Sequence, residues 1–290
     1  MTPVPLPPAR LPGRYGDAVP PAPPEPIAST ANPRVKALVR LRDRRERDQT
    51  GLFLIEGYRE LRRAVAGGVT LAEVWCCASL YLGENEEALV AAAQEGGAEI
   101  VPVAEGPFRK ASYRDRPEGL LAVARQFPTG LERLTLGPDP LLLVVEGIEK
   151  PGNLGTMLRT AEAAGAAAII VCDPTTDPFN PNVVRASLGT LFSLPLAVAD
   201  TPTALAWLHG RGIRTVATTP SATRPHWEAD LTGAVAVVVG SEQYGLSAAW
   251  LQGATEQVLI PMPGTVDSLN AAMAAGVVLF EAVRQRLTSR

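Results

Sequence analysis

The stretch Leu141-Leu-Leu-Val-Val-Glu146-Gly-Ile-Glu-Lys150-Pro-Gly-Asn153-Leu-Gly-Thr-Met-Leu-Arg159-Thr-Ala-Glu-Ala-Ala-Gly165 carries the pattern that decides the fold. Five aliphatic residues end in a carboxylate, a Gly/Pro turn follows, and a helical pattern begins near Asn153. An apolar run too short for a buried helix, bounded by a turn and then a helix, reads as a strand of a parallel sheet covered on both faces. Residues 168–171, 215–218, 235–239 and 258–260 are further short runs rich in Val, Ile and Leu, with helical patterns between them. The second half is therefore expected to be an α/β domain.

Working outward, the first half alternates too. Residues 33–47 read as one basic helix, 52–56 as a strand and 57–66 as a helix. Strands at 71–77, 99–103 and 120–125 and a helix at 86–95 complete a small α/β domain over 29–126. Residues 127–139, with Pro128, Gly130, Gly137 and Pro138, read as a linker to a domain at 140–290. Ten prolines in the first 26 positions make residues 1–28 an expected disordered tail.

Composition narrows the function. Two histidines in 290 residues, His209 and His226, make histidine-dependent hydrolysis or a histidine-rich metal centre a poor fit. Three cysteines, two of them adjacent, support neither a disulfide framework nor a cysteine zinc site. No apolar run approaches the roughly 18 residues of a membrane span, and prolines interrupt any signal-like start. The expectation is a soluble, cytoplasmic protein without metal. The net charge is −3, yet residues 34–63 hold ten basic residues against five acidic ones. One reading makes Arg34, Lys36, Arg40, Arg44 and Arg47 a phosphate-binding face. The other makes them a solvated helix with i,i+4 pairs such as Arg42 with Glu46 and Arg44 with Asp48.

Three segments of the second half carry candidate chemistry. In the first, quoted above, Asn153 is placed to cap the helix, and Arg159 is placed toward the carboxyl ends of the strands, where ligands of open α/β sheets bind. The second, Val237-Val-Val-Gly240-Ser-Glu242-Gln-Tyr-Gly245, is a strand running into a tight loop. It lacks the G-x-G-x-x-G spacing of a dinucleotide site. The third, Ile260-Pro-Met262-Pro-Gly264-Thr-Val-Asp-Ser268-Leu269-Asn270, leads into a small-residue helix expected from about Ser268.

Taken in order, these segments resemble the three signature motifs of the SpoU branch of the SPOUT methyltransferases. The matching patterns are Asn-x-Gly-x-x-x-Arg, Gly-x-Glu-x-x-Gly and Ile-Pro-Met-x-Gly-x-x-x-Ser-Leu-Asn. Residues 182–192 look like the family's helix and loop between the first two motifs. Ser29, Asn32, Pro33 and Lys36, with Phe53, Glu56 and Gly57, look like the RNA-binding domain of rRNA-modifying members. Pro263, and Ala271-Ala272, depart from the residues frequent there in the family.

The resemblance implies a C-terminal domain tied in a trefoil knot and paired as a homodimer. It implies S-adenosylmethionine held largely by backbone around Gly240, Ile260, Met262, Gly264 and Leu269. Arg159 is implied to activate a ribose 2′-hydroxyl, with Asn153, Glu242, Ser268 and Asn270 holding loops and nucleotide. A guanidinium keeps its proton below about pH 12, so it acts as a base only if a phosphate takes up the proton, or else simply grips that phosphate. The expected activity is 2′-O-methylation of RNA, ribosomal before transfer RNA. Base methylation and a catalytically silent RNA-binding knot are the alternatives.

Overall fold

The computed structural model describes residues 25–288, so nearly all of the Pro-rich tail lies outside the described residues. Of its end, Ile27 is paired: its amide donates to Pro102, and its carbonyl accepts from Ala104.

The first 100 described residues fold as α1 (Pro33–Arg40), α2 (Arg44–Thr50), β1 (Leu52–Glu56), α3 (Tyr58–Ala66), β2 (Leu71–Cys76), α4 (Glu86–Glu95), β3 (Glu99–Pro102), α5 (Glu105–Ala111) and β4 (Leu120–Arg125). The sheet order is β1-β4-β2-β3, antiparallel except for β2 with β3. Strand alternation sends Phe53, Ile55, Val74, Leu120 and Ala122 to one face, under α3 and α4. Leu54, Trp75, Val101, Leu121 and Val123 go to the other, under α1 and α5.

The single basic helix expected over 33–47 is two helices. At the break, the carbonyls of Leu41 and Arg42 accept from Nη1 of Arg47, at 3.0 and 2.7 Å. Arg42 turns away from Glu46 and donates to the carbonyls of Lys110, Ala111 and Ser112 at the end of α5. α5 itself has no counterpart in the sequence pattern.

The second sheet is built from β5 (Leu141–Glu146), β6 (Ala168–Cys172), β7 (Leu196–Ala199), β8 (Arg214–Thr218), β9 (Val235–Val239) and β10 (Glu256–Val258). All six strands are parallel, in the order β10-β8-β9-β5-β6-β7. One face is covered by α6 (Pro151–Ala163), α7 (Pro181–Ala186) and α10 (Ala271–Thr288), the other by α8 (Thr201–His209) and α9 (Ala248–Gly253). Covering on both faces explains why residues 141–145 are apolar throughout. The chain moves outward from β5 through β6 to β7, then returns on the far side, so β5 and β9 meet where the strand order reverses. Such a switch point leaves a crevice beyond the carboxyl ends of the two strands.

The two sheets share one buried cluster. Phe53 of β1 lies 5.0 Å from Phe179 and 6.1 Å from Phe192 between ring centres, and Phe127 meets Phe179 edge-on at 4.9 Å. Residues 127–139 are packed rather than tethered: Leu131 and Leu134 are buried, and Thr129 accepts from the amide of Val198 in β7. Among the described residues, no helix is long and apolar enough to cross a membrane, and no group of His, Cys, Asp or Glu could hold a metal.

Candidate active site

Three loops leave the switch point, and their polar side chains meet. The helix α6 starts at Pro151 with Lys150 at its cap position, so Asn153 lies inside the first turn and caps nothing. Its amide nitrogen instead donates to Glu242 in the loop after β9. Its amide oxygen accepts from Nδ2 of Asn270, at 3.1 Å. Asn153 thus ties the first and second loops to the third. Glu242 also accepts from the Glu149 amide at 3.3 Å. Partial burial alone would push the Glu242 carboxyl up, but the bonds from Asn153 and nearby backbone amides outweigh it and hold the group below its ordinary value. Asn270 does a second job. Its oxygen accepts from the amides of Ala272 and Met273, which closes the first turn of α10 at Ala271 rather than at Ser268.

Two motif glycines have steric reasons. A β-carbon on Gly155 would meet Ala186 and the Ser187 amide, so its absence lets α6 cross α7 closely. A β-carbon on Gly240 would overlap the backbone of Gly245 and Leu246, where the loop closes through bonds between Ser241 and Gly245 in both directions. Below this loop, the buried Glu146 carboxylate accepts from Thr201 (2.9 Å) and from the Ser247 amide (2.8 Å), which anchors the end of β5 to α8 and α9.

The third loop offers a donor set suited to a ligand read through backbone. From Ile260 to Leu269, no backbone amide donates to another described residue. Ile260 and Met262 are half-buried, while Gly264, Ser268 and Leu269 are exposed. Gly264 has open space where a side chain would project. The residues present therefore fit S-adenosylmethionine, a group with polar ends and a flat aromatic base whose edge takes hydrogen bonds from backbone.

Arg159 is exposed on α6 and makes no hydrogen bond or ion pair among the described residues. It lines a cleft of about 780 Å³ between the two sheets' domains, with Tyr58, Arg59, Pro151, Asn182 and Arg185.

The structure corrects the expected phosphate-binding face. Arg47 is 1% exposed and forms an ion pair with Asp177 at 2.7 Å, so it cannot reach a phosphate. Arg34 pairs with Glu73 and Glu99, Arg40 with Glu46, and Arg44 with Asp48. Lys36 is exposed. Of the i,i+4 pairs of the solvated-helix reading, Arg44 with Asp48 forms, whereas Glu46 is taken by Arg40 across the break between α1 and α2, and neither reading anticipates Arg47.

Sequence reasoning missed the loop between β6 and α7. Thr176 donates to the Glu149 carbonyl at 2.5 Å, and its neighbour Asp177 receives Arg47, so this loop joins the first domain to the motif loop. No periodicity marks it. Arg59 and Arg185 were visible only as members of longer stretches.

Comparison with known proteins supports the same grouping. Residues 140–280 match the SpoU rRNA Methylase family, and residues 32–122 match the MRM3-like substrate binding domain. An uncharacterized tRNA/rRNA methyltransferase of Synechocystis sp. is 36% identical over 264 residues, 90% of this chain and 94% of that one. The chain belongs to the SpoU rRNA methylase family. The crystal structure of an RNA 2′-O ribose methyltransferase shares 44% identity at a TM-score of 0.80, covering 91% of this chain and all of the other. An AdoMet-bound rRNA methyltransferase from Sinorhizobium meliloti, another solved structure, is 31% identical at a TM-score of 0.83, over 90% of this chain and 97% of its own.

Proposed function

We propose that this SpoU family chain uses S-adenosylmethionine to methylate a ribose 2′-hydroxyl of ribosomal RNA. The observation that carries the reading is the bridge Glu242–Asn153–Asn270 across three loops, six residues along α6 from Arg159, which makes no ion pair among the described residues. When bound, S-adenosylmethionine supplies an electrophilic methyl group on a sulfonium. Backbone of the Gly240 loop and of residues 260–269 holds it, with Ile260, Met262 and Leu269 supplying apolar contact and Gly264 leaving room. Arg159 grips a phosphate beside the target ribose in a bidentate hold and favours the developing alkoxide as the hydroxyl gives its proton to water, while the oxygen takes the methyl group and the carbon–sulfur bond breaks to leave a neutral thioether. Glu242, Asn153 and Asn270 keep the loops in register, and Ser268 faces the nucleotide. Much of the rate comes from positioning two reactants.

The experiment incubates the protein with ribosomal RNA and methyl-labelled S-adenosylmethionine, then hydrolyses the RNA in alkali. Label recovered in alkali-resistant dinucleotides is expected, because a 2′-O-methyl blocks cleavage at its 3′ phosphate. Label in mononucleotides would mean base methylation, and no incorporation would mean a silent binding protein.

The reading includes a knotted C-terminal domain paired through α10. Met273 (61% exposed), Val277, Phe280 (49%) and Leu287 form an apolar stripe at i, i+4, i+7 and i+14, a face that water does not favour. Sedimentation of the parent as a dimer and of Met273→Glu/Phe280→Glu as a monomer is the expected result; a monomeric parent at micromolar concentration removes the pairing.

A further inference from the structure

The family assignment does not say where the RNA strand lies. α1, with Arg34, Lys36 and Arg40, covers the face of the first sheet opposite to α3 and α4. The cleft opens on the α3 side and has walls from both domains: Tyr58 and Arg59 from α3, Arg114 from the loop before β4, Arg159 from α6, and Asn182 and Arg185 from α7.

Its charges are unevenly committed. Glu60 and Glu118 both accept from Arg114, and Glu86 accepts from the amides of Leu82 and Gly83. Arg59, Arg159 and Arg185 are exposed and make no hydrogen bond or ion pair among the described residues. The last turn of the α7 wall is strained: Leu188, which also lines the cleft, has φ of 51°, a conformation that leucine rarely adopts. Such strain persists only where packing enforces it. Here Gly189 sits against Glu60 and Arg63 of α3, which holds the two walls together.

We propose that this cleft seats the target nucleotide in an unpaired strand, with Arg59 and Arg185 gripping backbone phosphates on either side of Arg159. The inference rests on the methyltransferase reading above. A volume of about 780 Å³ holds a few nucleotides and not a duplex, so the substrate class is a loop, bulge or other single-stranded segment. Two free guanidiniums from different domains recognise the spacing of successive phosphates, while Tyr58 offers a ring to a base. Both walls come from one chain, so each subunit grips its own strand at its own Arg159.

Two probes test this: a single-stranded oligouridylate 12-mer, and a blunt RNA duplex of the same length. Arg59→Ala/Arg185→Ala is expected to weaken binding of the single strand about tenfold or more and to flatten its salt slope by about 1.4, the value for two lost phosphate contacts. The parent should prefer the single strand. Lys36→Ala/Arg40→Ala, on the opposite face, should bind like the parent. An unchanged thermal midpoint and unchanged S-adenosylmethionine affinity show that the cleft variant is folded. Parental RNA affinity in the cleft variant, loss confined to the Lys36/Arg40 variant, or a parent that prefers the duplex would overturn the proposal. Methyl incorporation into ribosomal RNA is scored in parallel. A parent that binds through the cleft yet transfers no methyl would sink the function and leave the cleft standing.

Discussion

Arg159→Ala is expected to lower methyl transfer by on the order of a hundred- to a thousandfold while S-adenosylmethionine binds as in the parent. The side chain is exposed and makes no hydrogen bond or ion pair among the described residues, so its removal leaves no buried group without a partner and costs little stability. The cofactor contacts proposed above are in the Gly240 loop and residues 260–269, and Asn153, not Arg159, bonds to Glu242 and Asn270 of those two loops. Arg159→Lys should recover only part of the rate, because an ammonium is a point charge and cannot make the planar two-point grip of a guanidinium. Single-turnover methylation with calorimetry of cofactor binding separates the outcomes. An Arg159→Ala enzyme that turns over like the parent, or one that loses the cofactor, would remove Arg159 from the chemistry.

Arg47→Ala is expected to destabilise the protein by roughly 3–5 kcal/mol, the usual cost of leaving one member of a buried ion pair alone. Asp177 would lose its ion-pair partner in a site only 8% exposed, and the carbonyls of Leu41 and Arg42 would lose their donor at the break between α1 and α2. The second variant isolates the charge. Arg47→Met/Asp177→Asn keeps the stem volume and the acceptor for the Phe179 amide, which now bonds Asp177 at 2.8 Å, but leaves no unpaired ion. It should recover most of the loss, as replacements of buried pairs by neutral groups often do. Urea midpoints of the three proteins decide the matter. A fully stable Arg47→Ala variant with weakened RNA binding would return Arg47 to the recognition surface.

These two arginines show how far residue types and spacing carry. Arg159 was legible because its place is set locally: it stands six residues after Asn153, on a helix that follows an apolar strand. Arg47 was not. Among ten basic residues in 30, nothing local separates the one whose partner, Asp177, lies 130 positions away. The helix over residues 33–47 failed for the same reason, since its break is stabilised by that buried guanidinium. The capping role read for Asn153 failed because α6 starts two residues earlier, at Pro151, which leaves its amide to Glu242 and Asn270, both distant in sequence.

What the sequence by itself determined is the class of fold and the motif residues. Residues 141–145 and 235–239 are apolar on both sides and too short for a buried helix, which reads as strands covered twice, and the spacing of the three motifs carries the family. Only the tertiary structure decided which charges are solvated and which are neutralised inside. Periodicity reports the face that a residue presents within its own element. Whether a guanidinium there meets water, a carboxylate or an open cleft depends on which distant segment packs against that face. For Arg40, Arg47 and Arg59 the answers are an exposed ion pair with Glu46, a buried one with Asp177, and the open cleft.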